Sequence, residues 1–341
     1  MMRYLPTVLL LLATSILTAA LPTSTSHPPN PPTPHPLPLL IWHGLGDSYD
    51  SDGMKSIATL AERTNPNTFV YPIRITNSSG ADRRSSFFGN LTVQLDTVCE
   101  VIHTHPVLSH APAVNALGFS QGGQFLRGYV ERCNDPPVRN LVTMGSQHNG
   151  IAKFQKCTTG DLLCESVAAL LKANTWGIAQ GNLVPAQYYR DPDDLKTYLK
   201  NSNWLADVNN ERKVKNETYK SNVASLEKFA MYLFEEDETV IPRQSGWFAE
   251  VNATTGAMTE LRNRTMYKED WLGLKKLDEK EGLVFREVPG KHMELDDDIM
   301  KEIFKEFFAA PDETDMSKMW QGDRDAGQSV LRHVEEAWMD L

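Results

Sequence analysis

The chain has 341 residues, of which 41% are hydrophobic and 23% are charged, and its formal net charge at pH 7 is −10. A chain of this length buries about three quarters of the surface that it exposes when unfolded, so it needs no metal to supply a core. Either two domains or one α/β domain with an insertion fits this length. Basic residues occur at most in pairs such as Arg83-Arg84, which argues against nucleic acid as a partner.

The first residues have the pattern of a secretory signal peptide. Arg3 precedes a short apolar segment, residues 8–21, that ends in small residues. This segment is shorter than the span of about 18 apolar residues that a membrane helix needs, so we expect cleavage near Ala19 or Ala20. The mature chain should then contain no transmembrane segment and follow the secretory pathway, to a lysosome or vacuole or out of the cell.

Cysteine and asparagine patterns agree with that route. The four cysteines allow three pairings, and the short loop between Cys157 and Cys164 favours joining these two, which leaves Cys99 with Cys133. Five N-x-[ST] sequons predict N-glycosylation; they begin at Asn77, Asn90, Asn216, Asn252 and Asn263.

The compact part of the chain follows a proline-rich segment. Residues 21–38 are poor in bulky apolar side chains and predict a semi-extended linker. An apolar strand at residues 39–42 then runs into the loop His43-Gly44-Leu45-Gly46. A second strand-like segment covers residues 68–75, and residues 91–103 place apolar side chains at helical spacing.

A glycine-flanked serine stands at the next change from strand to helix. Residues 113–117 predict a buried strand that enters Gly118-Phe119-Ser120-Gln121-Gly122, and residues 124–133 continue at helical spacing. This is the G-x-S-x-G pattern of a tight turn that presents a nucleophilic serine above a sheet. Residues 140–146 are strand-like again. Strands that alternate with helices predict an α/β fold with a mainly parallel sheet.

Residues 147–228 interrupt this alternation. They are helix-like at residues 162–180 and again at residues 226–229. A helical insertion between sheet strands is expected above the carboxyl ends of the strands, where α/β proteins bind ligands. The later elements are strands at residues 229–234 and 283–288 and a closing helix at residues 301–308. We therefore expect a signal peptide (1–20), a linker (21–38), one catalytic domain (39–310) and a charged tail (311–341). The composition of the tail favours disorder or loose packing, and the alternative is a helix that binds a partner.

The order of candidate residues matches the α/β-hydrolase plan, in which serine, acid and histidine follow one another along the chain. Only His292 and His333, of nine histidines, come after a candidate acid. His333 lies in an amphipathic part of the tail, where a structural histidine is expected. His292 follows the turn Pro289-Gly290 at the end of a strand and is the candidate base.

Four adjacent acidic residues follow the strand at residues 229–234. They are Glu235, Glu236, Asp237 and Glu238, and their positions alone do not choose among them. The acid of such a triad holds the tautomer of the histidine and stabilises its cation.

Two backbone N–H groups are candidate oxyanion donors. One belongs to Gln121, directly after the nucleophile, and the other to Leu45 in the loop of residues 43–46, hereafter the oxyanion loop. Glycines on both sides of Leu45 allow close approach to a substrate, and each such donor lowers a barrier by about 2.7–4 kcal/mol. We expect no cofactor and no metal, because His103-Thr104-His105 has no further ligands at metal-binding spacing.

Several long motifs resemble the palmitoyl-protein thioesterase family, most closely its lysosomal palmitoyl-protein thioesterase 1 type. They include "PLLIWHGLGDS", "NALGFSQGGQFLRGYVERC", "GSQHNG", "LADVNNER" and "KHMEL", and the resemblance spans residues 38–308. It implies an α/β-hydrolase fold with a helical insertion over the active site. It also implies an enzyme that removes long-chain acyl groups from S-acylated cysteines, so that the partners are S-acylated proteins or peptides and fatty acyl thioesters.

The resemblance assigns the acid to Asp237, placed by Pro242 and by Trp247-Phe248. One departure is that Tyr49 and Asp50 stand where animal relatives have adjacent cysteines, so a third, local disulfide is absent. The other residues that the resemblance assigns are the nucleophile Ser120, the base His292, the oxyanion donors Leu45 and Gln121, and the disulfides Cys99–Cys133 and Cys157–Cys164.

Two other functions are compatible with the same fold. A general lipase or carboxylesterase has the same triad, and a lipid-binding protein could keep the fold without catalysis. The intact serine, acid and histidine in the required order argue against the non-catalytic alternative.

Overall fold

The structure, a computed structural model, describes residues 36–153, 169, 175–252 and 254–312. Its centre is a sheet of six strands in which every neighbouring pair is parallel. Along the chain these strands are β1 (Leu39–Trp42), β2 (Val70–Pro72), β3 (Val114–Phe119), β4 (Val138–Met144), β5 (Lys228–Phe234) and β8 (Leu283–Val288).

The spatial order of the strands is β2-β1-β3-β4-β5-β8, and a separate antiparallel pair is formed by β6 (Glu250–Val251) and β7 (Met258–Thr259). In such an order every crossover between parallel strands must pass over a face of the sheet, which is where the helices lie. The predicted α/β-hydrolase fold class with a mainly parallel sheet is confirmed.

Helices before the fourth strand are α1 (Asp52–Thr64), α2 (Ser79–Ser85), α3 (Leu91–Thr104) and α4 (Gln121–Arg132). The two longest, α1 and α3, begin at side-chain caps: Ser51 accepts from the N–H of Met54, and Asn90 accepts from the N–H groups of Thr92 and Val93. Later helices are α5 (Ile178–Asn182), α6 (Val184–Gln187), α7 (Leu195–Asn201), α8 (Leu205–Val208), α9 (Glu217–Ser225), α10 (Thr265–Lys268), α11 (Leu274–Glu279) and α12 (Asp297–Phe307).

The core lies on both faces of the sheet. In β1, Leu40 and Trp42 pack into the cluster beneath α3 and α4, whereas Leu39 and Ile41 pack into the cluster beneath α1 and α12. All four side chains are at most 1% exposed, and full burial of each such side chain contributes about 1.5–3 kcal/mol. Alternation between two buried faces explains why the strand is apolar without interruption.

Three predicted elements differ from the structure. Residues 175–177, within the helix-like segment predicted at residues 162–180, form a turn. The second strand covers only residues 70–72, because β2 is an edge strand that pairs with three residues of β1, Leu39 to Ile41. The helix expected at residues 226–229 is wrong. Lys228 and Phe229 already belong to β5 and pair with β4, because a four-residue segment carries no usable helical period and the sheet buries the Phe229 ring completely.

Helices α5 to α9 lie between β4 and β5, within the predicted insertion. The Cys99–Cys133 disulfide is confirmed and joins α3 to the residue that follows α4. Cys157 and Cys164 lie outside the described residues, as do residues 1–35 with the predicted signal peptide and most of the linker, and the tail from residue 313. In the part of the chain that the structure describes, no helix is long and apolar enough to cross a membrane.

Candidate active site

Ser120 occupies a strained turn between β3 and α4. Its φ is 52° and its ψ is −125°, a region that non-glycine residues rarely adopt and that costs on the order of 1–3 kcal/mol. The turn is held by hydrogen bonds from the Ser120 N–H to the Met144 carbonyl (2.8 Å) and from the Gly123 N–H to the Ser120 carbonyl (3.1 Å). The strand-turn-helix context that the G-x-S-x-G motif requires is therefore present.

The two outer glycines of the motif are needed because the backbones of β3, α4 and β1 approach closely. A Cβ atom on Gly118 would lie 2.2 Å from the Cα of Gly123, and one on Gly122 would lie 2.4 Å from the carbonyl oxygen of Trp42. Both distances are far below van der Waals contact. Any larger residue at either position would push the helix away from the sheet.

His292 connects the serine to an acid. Its Nε2 lies 3.0 Å from Ser120 Oγ, and its Nδ1 lies 2.7 Å from Asp237 Oδ2. The Asp237 side chain is 1% exposed and that of His292 is 14% exposed. This geometry allows His292 to accept the serine proton while the carboxylate stabilises the imidazolium.

Backbone pairing between two loops selects Asp237 from the four adjacent acids. The N–H of Glu235 donates to the Val288 carbonyl (2.9 Å) and that of Glu236 donates to the Gly290 carbonyl (3.0 Å). These bonds carry the β5 loop past the end of β8 and point the next carboxylate at the imidazole. Glu235, Glu236 and Glu238 are exposed, while Asp237 Oδ1 accepts from the N–H groups of Thr239 and Val240.

The oxyanion loop lies against the nucleophile. A Cβ atom on Gly44 would lie 3.2 Å from the Cβ of Ser120, so Leu45 follows directly beside the serine. The Gln121 N–H belongs to the first residue of α4 and has no carbonyl partner within the helix. The positive end of the helix dipole adds to its attraction for an anion.

A buried hydrogen bond between His43 and Asp82 anchors the start of the oxyanion loop. His43 Nε2 lies 2.9 Å from Asp82 Oδ2, and both side chains are at most 1% exposed. Burial by itself would raise the pKa of Asp82, but hydrogen bonds from His43 and from the N–H groups of Ile75 and Tyr49 lower it below its ordinary value. Asp82 is therefore a carboxylate at neutral pH, and it fixes the ring from which the loop departs.

A cavity of about 580 Å³ opens at Ser120 and His292. This volume falls within the range of about 300–1,000 Å³ that is usual for small-molecule sites. Most of its wall is apolar, so a chain of methylene groups fits beside the nucleophile. The apolar side chains of the wall are Leu45, Met54, Ile57, Phe87, Phe119, Ile151, Pro185, Val240, Met293 and Leu295.

Part of this wall comes from the predicted insertion. Among its described apolar residues, Ile151, Pro185 and Tyr188 line the cavity. Leu183 and Val184 are buried in the core, and Ile178 is 69% exposed. Trp176 packs against the core beside Tyr189. Residues 167–171, apart from Ala169, lie outside the described residues.

A family model described as palmitoyl protein thioesterase matches residues 38–292, which include the serine, the acid and the histidine. The chain belongs to the palmitoyl protein thioesterase family. Palmitoyl-protein thioesterase 1 of Caenorhabditis elegans is 34% identical to it, with 90% of this chain and 100% of the relative covered. Palmitoyl-protein thioesterase 3 of Dictyostelium discoideum is 31% identical, with 73% and 82% covered.

A third palmitoyl thioesterase relative is a longer protein. The palmitoyl-protein thioesterase-dolichyl pyrophosphate phosphatase fusion 1 of Schizosaccharomyces pombe is 34% identical, with 76% of this chain and 41% of the fusion protein covered. The likeness therefore extends over less than half of the fusion.

Tyr49 and Asp50 both form hydrogen bonds to α2. The Tyr49 N–H donates to Asp82 Oδ2 (3.0 Å), and the Asp50 carboxylate accepts from the hydroxyl groups of Ser79 (2.6 Å) and Ser48 (3.2 Å). The bond from Ser79 lowers the pKa of Asp50. The loop after Gly46 is thus joined to α2 by hydrogen bonds.

A buried polar network ties α4 to the insertion in this thioesterase. Arg127 donates to Glu131 Oε1 (2.5 Å), to the Val208 carbonyl (2.8 Å) and to Asn209 Oδ1 (2.8 Å). Burial raises the pKa of Glu131 to about 8, although Arg127 opposes the shift. Burial and Arg127 lower the pKa of His148 well below its ordinary value, so the ring is neutral and its Nδ1 accepts from Arg127 (3.3 Å).

Sequence reasoning missed several residues of the thioesterase site. Asp82 carries no pattern that separates it from a surface acid, and Phe87 belongs to no periodic segment. Met54 and Ile57 are three positions apart on α1, a helical spacing that could have marked them. Among the described residues, no group of three or more His, Cys, Asp or Glu side chains has the arrangement of a metal site.

Proposed function

We propose that this family member hydrolyses long-chain acyl thioesters of cysteine in proteins or peptides, with Ser120 as nucleophile, His292 as base and Asp237 as acid. The observation that carries the proposal is the hydrogen-bonded chain from Asp237 through His292 to Ser120 at the mouth of an apolar cavity. The family to which the chain belongs supports the substrate class.

Acylation begins when His292 Nε2 takes the proton of Ser120 Oγ, which attacks the thioester carbonyl carbon. The carbonyl oxygen becomes an oxyanion that accepts hydrogen bonds from the N–H groups of Leu45 and Gln121. The carbon–sulfur bond then breaks, the cysteine sulfur receives the proton from His292, and the acyl group is left as an ester on Ser120.

Deacylation repeats these steps with water. His292 takes a proton from a water molecule, the resulting hydroxide attacks the acyl-enzyme carbonyl, and the same two N–H groups hold the second oxyanion. Collapse returns the proton to Ser120 Oγ and releases the fatty acid. Asp237 holds the histidine in the tautomer that both halves require.

Thioesters suit this site for a chemical reason. A thiolate has a conjugate acid with a pKa near 8.5. The carbon–sulfur bond can therefore break with little proton donation from His292. An alkoxide leaving group must be protonated as it departs, which makes the same step more demanding. We therefore expect a much lower rate on matched oxygen esters.

The cavity makes chain length the main selector among acyl groups. Each buried CH₂ contributes about 0.8 kcal/mol, so that four added carbons raise kcat/KM by up to roughly two orders of magnitude until the cavity is full. The aromatic ring of Phe87 and the side chains of Met54 and Ile57 supply part of the apolar contact.

The test is hydrolysis of matched cysteinyl thioesters and oxygen esters across acyl lengths, with the Ser120→Ala protein as blank. A steep rise with chain length on thioesters and low rates on oxygen esters support the proposal. Equal rates on short oxygen esters and long thioesters would indicate a general lipase or carboxylesterase. Binding of fatty acids without any turnover would indicate the non-catalytic lipid-binding protein.

We further propose that the chain passes through the secretory pathway to a lysosome or vacuole or to the outside of the cell. Four of the five sequon asparagines, Asn77, Asn216, Asn252 and Asn263, are exposed, and Asn90 is partly exposed. The Cys99–Cys133 disulfide suits an oxidising compartment. Mass spectrometry of the non-reduced mature protein should find a start near residue 21, occupied sequons and a Cys157–Cys164 bridge; free thiols and an intact amino terminus would contradict this route.

A further inference from the structure

Ser86, directly after α2, bonds to the end of the oxyanion loop. The Gly46 N–H donates to Ser86 Oγ (2.8 Å), and Ser86 Oγ donates its single proton to the Arg83 carbonyl (2.6 Å). Because that proton is used, the hydroxyl can only accept from Gly46. Ser86 is 1% exposed, so water does not compete for this bond.

Helix α2 and Ser86 directly after it therefore hold the oxyanion loop at both ends. Asp82 pairs with His43 at the start of the loop, and Ser86 bonds to Gly46 at its end. Residues four apart on a helix share one face, so a single rigid element supports both anchors. Between them lies Leu45. Its N–H shares a peptide unit with the Gly44 carbonyl, which lies 2.9 Å from His43 Nδ1, and the next peptide unit carries the Gly46 N–H that Ser86 holds.

Ser86 also contacts Gln121, the residue that carries the second oxyanion donor. The carbonyl oxygen of Ser86 accepts from Gln121 Nε2 (3.1 Å), and Gln121 Oε1 accepts from the Tyr188 hydroxyl (3.2 Å). Both Gln121 and Tyr188 are at most 4% exposed. Ser86 thus bonds through its hydroxyl to the loop that carries Leu45 and through its carbonyl to the side chain of Gln121.

We propose that Ser86 is a positioning residue that sets the distance between the two oxyanion donors, the N–H groups of Leu45 and Gln121; this inference rests on the proposed function. Donors of this kind act only if they are in place before charge develops. Ser86 is absent from the wall of the acyl cavity, so the loss of its hydroxyl weakens the transition state and leaves binding of the acyl chain unchanged. Such a loss lowers kcat and kcat/KM equally.

The test compares Ser86→Ala with Ser85→Ala. The Ser85 hydroxyl donates to the Ala81 carbonyl within α2 and does not contact the oxyanion loop, so the second variant is a matched control. On a palmitoyl-cysteine peptide, Ser86→Ala should lower kcat by roughly 10- to 100-fold with KM unchanged, and Ser85→Ala should keep the wild-type values. A long-chain trifluoromethyl ketone, which forms an oxyanion on Ser120, should lose affinity for Ser86→Ala by the same factor, whereas palmitate should not.

A second variant and a second measurement separate positioning from folding. Ser86→Cys keeps a similar volume and a weak acceptor, and its kcat should fall between those of the wild type and Ser86→Ala. Hydrogen exchange should be faster in the peptide that contains Gly46 in Ser86→Ala and unchanged in Ser85→Ala, with the exchange of β3 and α4 unaltered in both.

Suppose that the wild type is active and that Ser86→Ala has the same kcat and the same hydrogen exchange at Gly46 as Ser85→Ala. This result would overturn the inference and leave the proposed function intact. Equal losses of ketone and palmitate affinity would also overturn it, because they would mean a distorted cavity. A wild type that hydrolyses no thioester would overturn the proposed function and the inference with it.

Discussion

His292 Nε2 lies 3.0 Å from Ser120 Oγ, although 172 positions separate the two residues in the chain. A serine hydroxyl and an imidazole at this distance work as one unit. We therefore expect Ser120→Ala and His292→Ala each to lower kcat on acyl thioesters by roughly 10⁶-fold. The double variant should be little worse than either single one. Steady-state kinetics on all three variants provides the measurement. If the double variant lost the sum of the two single losses in activation free energy, the two side chains would not share a mechanism.

Asp237 differs from its acidic neighbours in burial and in its bond to His292 Nδ1. Asp237→Asn should lower kcat by roughly 10⁴-fold, because the amide favours the wrong tautomer of the imidazole. Glu235→Gln, Glu236→Gln and Glu238→Gln are matched controls and should stay within several-fold of the wild type. An essential glutamate together with a dispensable Asp237 would contradict the geometry of the site.

Gly122 packs closely against the carbonyl oxygens of Trp42 and His43, so that an added Cβ would lie 2.4 and 2.5 Å from them. Gly122→Ala should therefore lower the free energy of unfolding by about 1–3 kcal/mol or prevent folding, as overpacked sites do. Gly80→Ala is the control, since an added Cβ there meets nothing within 4 Å and a helical alanine is preferred by about 0.5–1 kcal/mol. Urea unfolding of the three proteins gives the comparison, and equal stabilities of the two variants would contradict it.

Glu131 should make the protein less stable as the pH rises. Burial raises its pKa from 4.5 to about 8, so that the folded chain binds a proton that the unfolded chain releases. Its contribution is fully present below about pH 4.5 and is lost as the pH rises to about 8. Glu131→Gln stays neutral, so relative to the wild type it should change stability little near pH 5 and increase it above pH 8.

Urea unfolding of the wild type and Glu131→Gln across this pH range provides the measurement, and the difference between them cancels contributions such as that of His148. The difference should grow by about 1.4 kcal/mol per pH unit at most within the window. A loss of stability that is the same at every pH would mean that Glu131 is ionised and paired with Arg127 throughout.

Local patterns were enough to predict the fold class and to propose Ser120 as the nucleophile. Both flanks of Ser120 have strong local signals, a buried apolar strand before it and a helical period after it, and these depend on side chains that are near neighbours in sequence. The strands β1 and β8 have the predicted bounds for the same reason. The order of serine, acid and histidine then limited the base to His292 or His333 before any contact was known.

Tertiary structure decided everything that depends on which distant segments meet. Four adjacent acids are equivalent in sequence, and Asp237 differs from them because the β5 and β8 loops pair through Glu235 and Glu236. Asp82 and Ser86 support the oxyanion loop only because α2 lies against the loop that follows β1, a placement that no local period encodes. Which side chains line the cavity is decided in the same way. Ile57 of α1, Phe87 and Tyr188 of the insertion come together there, because the direction of a side chain depends on how its helix packs and not on its hydrophobicity.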